Sequence, residues 1–441
     1  MKGLLFVYGM TYGGAIASLY RPFWGFLIYV AFANLRPDSL WFWSVSPGNY
    51  SRIIAIAFLL GWQLHGAGSW RFGAATPTLA VMCFFWVWIL IGASITPAPE
   101  QAWFTVEILT KVFVPIFAGM TLIDSVAKLK QLAWVLVATQ GFLALNFNEQ
   151  YYRWGINTND WVFAGLDNNG IAIATVTAFG LALFVGLHAD NWWQRIAAFA
   201  AAALMAHVVL FSMSRGGMLA MAITGVVAFI LIPKRMIHFI ALAAGIVLVV
   251  GMAGKEVREE FMSSFASKEQ RDASADSRFG LTRDALDVML RYPVLGCGME
   301  NWVNIAPEYG WPHGKKAHNT WAEIGATLGL PGFLSILGFY ILTCLRLYPL
   351  TRERTPVDDP WLKGAARAVI AATTGFIVSA ALVTAERIEL PYYIVMLGAG
   401  VLRVHSLRLA RVSRPAAVAV DAHPATVDRL PPWTTVPCRT P

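Results

Sequence analysis

Charge is what this sequence has least of. Of 441 residues, Lys, Arg, Asp and Glu together make up 14%, where soluble domains average about 25%. A globule of this size has too much surface to be covered by so few charged groups, so a soluble protein is excluded. Four cysteines are too few for a disulfide scaffold. Cys83 and Cys344 lie in apolar runs, Cys297 in a loop and Cys438 near the C-terminus. No C-x-x-C pair and no H-E-x-x-H occurs, so no metal or redox motif is read. No P-loop and no G-x-G-x-x-G opening a helix occurs either, so no ATP or dinucleotide site is expected. The excess of basic residues, +8 net, is concentrated in short loops and the tail. That is how membrane proteins distribute Lys and Arg, and it is not a nucleic-acid footprint.

Apolar residues, by contrast, reach 57%. The chain is therefore expected to be an all-α polytopic membrane protein. Thirteen windows approach the roughly 20 apolar residues a span needs: 3–19, 21–35, 52–66, 76–95, 103–123, 130–147, 169–188, 194–212, 216–233, 236–253, 320–345, 364–385 and 390–407. The first two are short and meet at Arg21-Pro22, so one is expected to be partial or re-entrant, leaving about twelve spans. Ala15-Ile16-Ala17 resembles a signal-peptidase site, but Tyr8, Thr11 and Tyr12 interrupt its apolar run, and retention of the segment is expected.

Lys128, Lys130, Arg195, Lys234, Arg235, Arg346, Arg352, Arg354, Lys363, Arg367, Arg403, Arg408, Arg411 and Arg414 fall on one face when spans are counted. The positive-inside rule makes that face cytoplasmic. The organisation expected is ten helices over 1–253, a hydrophilic outer loop over 254–317, C-terminal spans over 318–407 and a disordered cytoplasmic tail over 408–441. That tail has six prolines from Pro415 onward and no apolar run. The outer loop mixes nine basic with ten acidic residues, unlike a like-charge disordered tail. Residues 277–292 carry helix-compatible apolar spacing at Phe279, Leu286, Met289 and Leu290.

Polar features gather beside the outer ends of apolar segments. Ser212-Met213-Ser214-Arg215-Gly216-Gly217 places an arginine between two apolar helices. Charge at such a boundary is costly and points to function, although an arginine can also snorkel to headgroups. Arg278, with Arg271, Arg283 and Arg291 nearby, could fork onto phosphate oxygens or pair weakly with Asp276 or Asp284. His318, in Ala317-His318-Asn319-Thr320-Trp321, can exchange a proton near neutral pH; a cap or headgroup-facing role is the alternative, and His313 is a nearby competitor. Asp167-Asn168-Asn169-Gly170 can bind a polar ligand or cap a helix. Glu107 and Lys111, four apart in an apolar helix, are expected to form a structural ion pair.

Taken in series, several of these segments resemble one family. They are S-R-G-G at 214–217, S-R-F-G…R-Y-P-V-L-G-C-G-M-E-N-W at 277–302, H-N at 318–319 and L-G-L-P-G at 328–332, with D-N-N at 167–169. Order and spacing from about 160 to 345 resemble the O-antigen ligase superfamily of bacterial inner-membrane glycosyltransferases. The segment R-P-F-W-G-F-L-I-Y-V…N-L-R-P at 21–37 resembles a subgroup, the exosortase-associated O-glycosylation ligases. The resemblance implies a GT-C-like fold of twelve spans with a helical periplasmic loop over the site. It implies an undecaprenyl-diphosphate-linked glycan as donor. The acceptor would be a lipid A–core sugar, a growing polymer or a protein.

Carried over by position, Arg215 and Arg278 would hold the diphosphate and His318 would be the general base. Ser214, Asn168, Asn319 and Arg291 would help bind substrate. The family is metal-independent and needs no cofactor, since the donor already carries its leaving group. Its partners are the lipid-linked donor, the acceptor and membrane lipids, not nucleic acid. Direct displacement at the anomeric carbon would invert its configuration. A lipid-linked glycan transporter, the rival of a different class, would need charges deep in several spans, and the chain has few.

Overall fold

The computed structural model describes residues 2–158, 162–255, 257–258, 273–357 and 359–412. Arg271 and most of the expected tail lie outside them. Every described element is helical, apart from an isolated bridge between Phe163 and Leu166. Each apolar window forms a helix. In chain order these are α1 (Lys2–Tyr8), a π-helical turn (Gly9–Gly13), α2 (Gly14–Tyr20), α3 (Pro22–Leu35), α4 (Pro37–Leu40), α5 (Tyr50–Leu64), α6 (Thr76–Ile95), α7 (Pro99–Leu122), α8 (Val126–Trp154), α9 (Asn168–Leu187), α10 (Trp192–Phe211), α11 (Arg215–Leu231) and α12 (Met236–Met252). The loop region contributes α13 (Ala273–Arg291) and α14 (Trp302–Ile305), and the chain ends in α15 (Thr320–Thr351), α16 (Pro360–Ala380) and α17 (Leu390–Val412).

Seven of these stretches are long and apolar enough to cross a membrane, and four more are apolar but shorter. The chain is thus an all-α polytopic membrane protein. Of the two N-terminal windows, the second is the shorter helix. α3 has 14 residues, about 21 Å at 1.5 Å per residue, less than a bilayer core of about 30 Å.

Side-chain caps start the helices that matter for the site. Asp167 accepts from the Gly170 N–H at 2.8 Å, Ser214 from Gly217 at 3.1 Å, and Asn319 from Trp321 and Ala322 at 3.1 and 3.2 Å. Each satisfies an orphan amide of a first turn. α9 is the most enclosed span and packs against α10, α16 and α11. The expected Glu107–Lys111 pair forms at 2.6 Å, joined by Arg52 at 3.3 Å.

α15 is broken near its middle. Gly329 has φ 68 and ψ −171, and Pro331 follows. A Cβ at Gly329 would come within 2.4 Å of the Val294 carbonyl oxygen, and one at Gly296 within 2.4 Å of the Thr327 backbone. The turn 292–297 fills the notch and takes up the backbone groups the break frees. Leu330 donates to the Pro293 carbonyl at 2.8 Å and Cys297 to that of Ala326 at the same distance. The L-G-L-P-G and R-Y-P-V-L-G-C-G segments are thus two halves of one joint, and the prolines and glycines are required there.

The helix expected over 277–292 is present, and of the four apolar positions marked in the sequence Met289 is buried. Leu281, Ala285 and Val288 are buried against Trp302, Ala317 and Ala322, whereas Phe279, Leu286 and Leu290 are exposed. An apolar count along one helix cannot distinguish the face that meets protein from an outward apolar face.

The basic residues used for orientation collect at one end of the bundle. Lys128 pairs with Asp124, Lys130 with Asp190, Arg367 with Glu353 and Arg408 with Asp359. Arg403, fully buried, donates to the carbonyls of Ser69 at 2.6 Å, Ile123 at 2.8 Å, Arg71 at 3.0 Å and Met120. It caps the C-terminal end of α7, where carbonyls lack helical partners. Arg403→Met would leave several acceptors buried and unpaired, a loss of about 2–3 kcal/mol. Thermal unfolding of the variant in detergent should show a lower midpoint, and an unchanged midpoint would remove this cap from the account of stability.

Candidate active site

At the opposite end, the loops before α9, α11 and α15 meet. Asn168 Nδ2 donates to the Ser212 carbonyl at 2.9 Å, and Asn169 Nδ2 to Asn168 Oδ1 at 3.1 Å. The Ser214 hydroxyl donates to Asn169 Oδ1 at 2.8 Å while capping Gly217. The two asparagines therefore fix the turn that starts α11, and Arg215 is its first helical residue. An arginine there adds a guanidinium to the positive end of a helix, a setting suited to an anion. The glycines after it allow close packing. A Cβ on Gly217 would lie 2.7 Å from that of Ala172, and one on Gly216 3.2 Å from the Leu382 side chain.

Leu382 begins a short segment that also holds the turn before α15. Thr320 donates to the Val383 carbonyl through its amide at 3.1 Å and its hydroxyl at 2.7 Å, and Ala385 N–H donates to the same hydroxyl at 2.8 Å. Arg215's helix and His318's turn thus rest on consecutive residues of one strap, 382–385. Around the imidazole lie charges from three other places: Arg278 of α13, Lys315 and Glu323 flanking the turn, and Asp167 at the cap of α9. Burial first, then Arg278 and Lys315, holds His318 below the ordinary imidazole value, against an opposing pull from Glu323 and Asp167. The ring is thereby kept neutral near pH 7, the form that accepts a proton.

Backbone strain collects here. Met213 has φ 53, Glu300 φ 60, His318 φ 51 and Ala164 φ 52. Left-handed backbone costs a non-glycine residue about 1–3 kcal/mol and persists where surrounding contacts dictate it. Met213 adjoins Ser214, and His318 is itself the candidate base.

The structure thus brings Asp167, Asn168, Asn169, Ser214, Arg215, Arg278, His318 and Asn319 to one end of the bundle. Asn168, Ser214 and Asn319 are engaged in holding turns and caps. Arg291 lies apart. It pairs with Asp287 at 2.7 Å and stacks on Tyr309, thirteen residues beyond Arg278 on the same helix, about 20 Å along its axis. Arg283 is exposed. His313 is exposed and bonded to Asn304 at 3.0 Å.

A second constellation was not marked in the sequence. Lys316 Nζ lies 3.1 Å from Glu300 and 3.0 Å from Glu323, and Arg387 lies 2.8 Å from Glu300. Thr105 donates to Glu300 at 2.8 Å; the Ala317 N–H and the Thr384 hydroxyl donate to Glu323 at 3.0 and 2.6 Å. Burial opposes the charge of Glu300, yet Lys316 and Arg387 outweigh it and hold that carboxyl below its usual range. Glu386 is lifted to about 7 by burial and then by Glu323. Glu300, Glu323 and Glu386 border a cavity of about 30 Å³ beside Thr105 and Thr327, room for a water or two. Glu323 carried the one signal that could have exposed the cluster, an acid inside an apolar span. Among the described residues, no group of His, Cys, Asp and Glu side chains is arranged to hold a metal ion.

Residues 200–337 match the family model described as O-antigen ligase. That stretch is similar to the O-antigen ligase family. The match takes in the Ser214–Gly217 turn, α13, His318 and the break in α15, while Asp167–Asn169 and the 382–385 strap lie outside it. Residues 1–148 match a family of unknown function (DUF5935), which supplies no support for the exosortase-associated resemblance of 21–37. No curated protein matches the chain.

Proposed function

We propose that this chain acts as a member of the O-antigen ligase superfamily and transfers a glycan from undecaprenyl diphosphate to an acceptor hydroxyl, with a lipid A–core sugar as the acceptor of first choice. A growing polymer and a protein are the alternative acceptors for the same donor. The protein sits in the bacterial inner membrane. Its basic end and C-terminus are cytoplasmic, and the Arg215–His318 end, with α13, faces the periplasm. The basic pairs collected at one end of the bundle support this orientation.

In this reading Arg215 and Arg278 bind the diphosphate and neutralise the charge that grows on it as it departs. His318 takes the proton of the acceptor hydroxyl. The acceptor oxygen bonds to the anomeric carbon while the bond from that carbon to the phosphate oxygen breaks, and undecaprenyl diphosphate leaves with the electron pair. A single displacement inverts the anomeric centre. Energy comes from the donor's own leaving group, so neither ATP nor a metal is required.

One observation carries the reading. The turn of Arg215 and the turn of His318 are braced by adjoining residues of the 382–385 strap, with the charge of Arg278 acting on the imidazole. Two cations and a neutral base at one mouth suit a diphosphate and an attacking hydroxyl. The test is reconstitution of purified protein in vesicles with lipid-linked glycan and candidate acceptors, without nucleotide and with chelator. A new glycosidic bond of inverted configuration is expected. Movement of the glycan across the vesicle without bond formation would establish a transporter instead.

A further inference from the structure

We propose that Glu323 is a positioning residue whose carboxylate locks the turn that presents His318 to the strap that braces Arg215. The inference rests on His318 being the base, and goes beyond it by naming what sets the base's place. One oxygen of Glu323 accepts from the Ala317 N–H at 3.0 Å and from the Thr384 hydroxyl at 2.6 Å, and the other meets Lys316 at 3.0 Å. Residues 316 and 317 lead directly into His318, and Thr384 lies within the 382–385 strap. A single buried side chain therefore joins the two halves of the site.

Packing alone does not account for this arrangement. Burying three carboxylates with a lysine and an arginine adds little stability over apolar side chains of the same volume, because desolvation offsets the attraction. What the bonded part of this network, Glu323 with Ala317, Thr384 and Lys316, supplies is a fixed geometry. Here it surrounds a histidine with φ 51, a backbone state that surrounding contacts must impose. Glu323 faces Lys316, with Glu300, Glu386 and Arg387 completing the cluster. The charges facing His318 are Arg278, Lys315, Glu323 and Asp167. Removing the negative charge of residue 323 therefore favours the neutral imidazole further.

The test compares wild type with Glu323→Gln, Glu323→Asp and Thr384→Val as full-length protein in nanodiscs. Transfer kinetics are measured across pH, and His318 is titrated directly by NMR of histidine-labelled protein, assigned with His318→Gln. For Glu323→Gln, kcat is expected to fall by about 10²-fold with donor KM within about twofold. Its His318 titration should move to lower pH. Glu323→Asp, which keeps the charge, should restore the titration and part of kcat. Thr384→Val should reduce kcat without moving the titration. A folded Glu323→Gln protein with unchanged kcat and unchanged His318 titration overturns the proposal. Should Glu323→Gln fail to fold, normal kcat in both Glu323→Asp and Thr384→Val overturns it equally. If His318→Gln transfers glycan at the normal rate, the base assignment fails on its own, and the titrations still decide whether Glu323 governs the turn.

Discussion

His318→Ala should slow glycan transfer by about 10²- to 10⁴-fold, the usual contribution of a general base, while the protein still folds and inserts. The ring is partly buried and its position is fixed from outside itself, by the Asn319 cap and the Thr320–Val383 bonds. Deleting the side chain therefore removes chemistry more than structure. The pH dependence follows from the same site. Burial, Arg278 and Lys315 hold the imidazole below the ordinary value, so the neutral, proton-accepting form persists through neutral pH. Transfer should stay level from pH 8 down to about 6.5, where a free imidazole would titrate, and fall as the pH drops below that through the lowered value. Gel analysis of labelled product across pH gives both results. Wild-type rates in the alanine variant would take His318 out of the mechanism.

Arg215→Ala should weaken donor binding by about 1.5–3 kcal/mol, roughly 10- to 150-fold in Kd, the range for losing hydrogen bonds to a charged group. Arg215→Lys should recover part of that loss, because an ammonium supplies the charge without the planar fork that matches two phosphate oxygens. Titration of a fluorescent lipid-diphosphate into detergent-solubilised protein measures all three. Equal affinities would show that the diphosphate is held elsewhere. The comparison is interpretable because the turn around Arg215 is made by other groups: Ser214 on Asn169 and Asn168 on the Ser212 carbonyl.

Much of this was readable before any coordinates. Long apolar windows became helices because a chain in a bilayer must satisfy its own backbone. Ser214, Arg215 and His318 were visible because each is a polar group at the edge of an apolar segment, and Arg278 because it stands among other arginines on the expected loop helix. Asp167-Asn168-Asn169 left two roles open, and the structure uses Asp167 as a cap and the asparagines as struts for the next turn.

What escaped notice depends on contacts between distant parts of the chain. Thr105, Glu300, Lys316, Glu323, Glu386 and Arg387 come from four separate segments, and apart from Glu323, an acid inside an apolar span, none is unusual beside its sequence neighbours. The left-handed backbone at His318 and Met213 leaves no mark in residue type, since neither is a glycine or asparagine. Apolar spacing along α13 marks a helix but not which face is covered, and tertiary contact with Trp302 and Ala322 selects Leu281, Ala285 and Val288. Arg291 shared a helix with Arg278, but proximity along the chain carried it to a different partner.

The notch at Gly329 has a mechanical consequence. Backbone bonds on both sides of it, Leu330 to Pro293 and Cys297 to Ala326, rivet the segment following α13 to the membrane helix beneath. The arm bearing Arg278 and the helix start bearing His318 are thereby joined into one unit across the break in α15. Arg215 belongs to the other jaw, built by α9 and α11. The two jaws meet at the 382–385 strap, so a substitution that loosens the strap should disturb both turns at once.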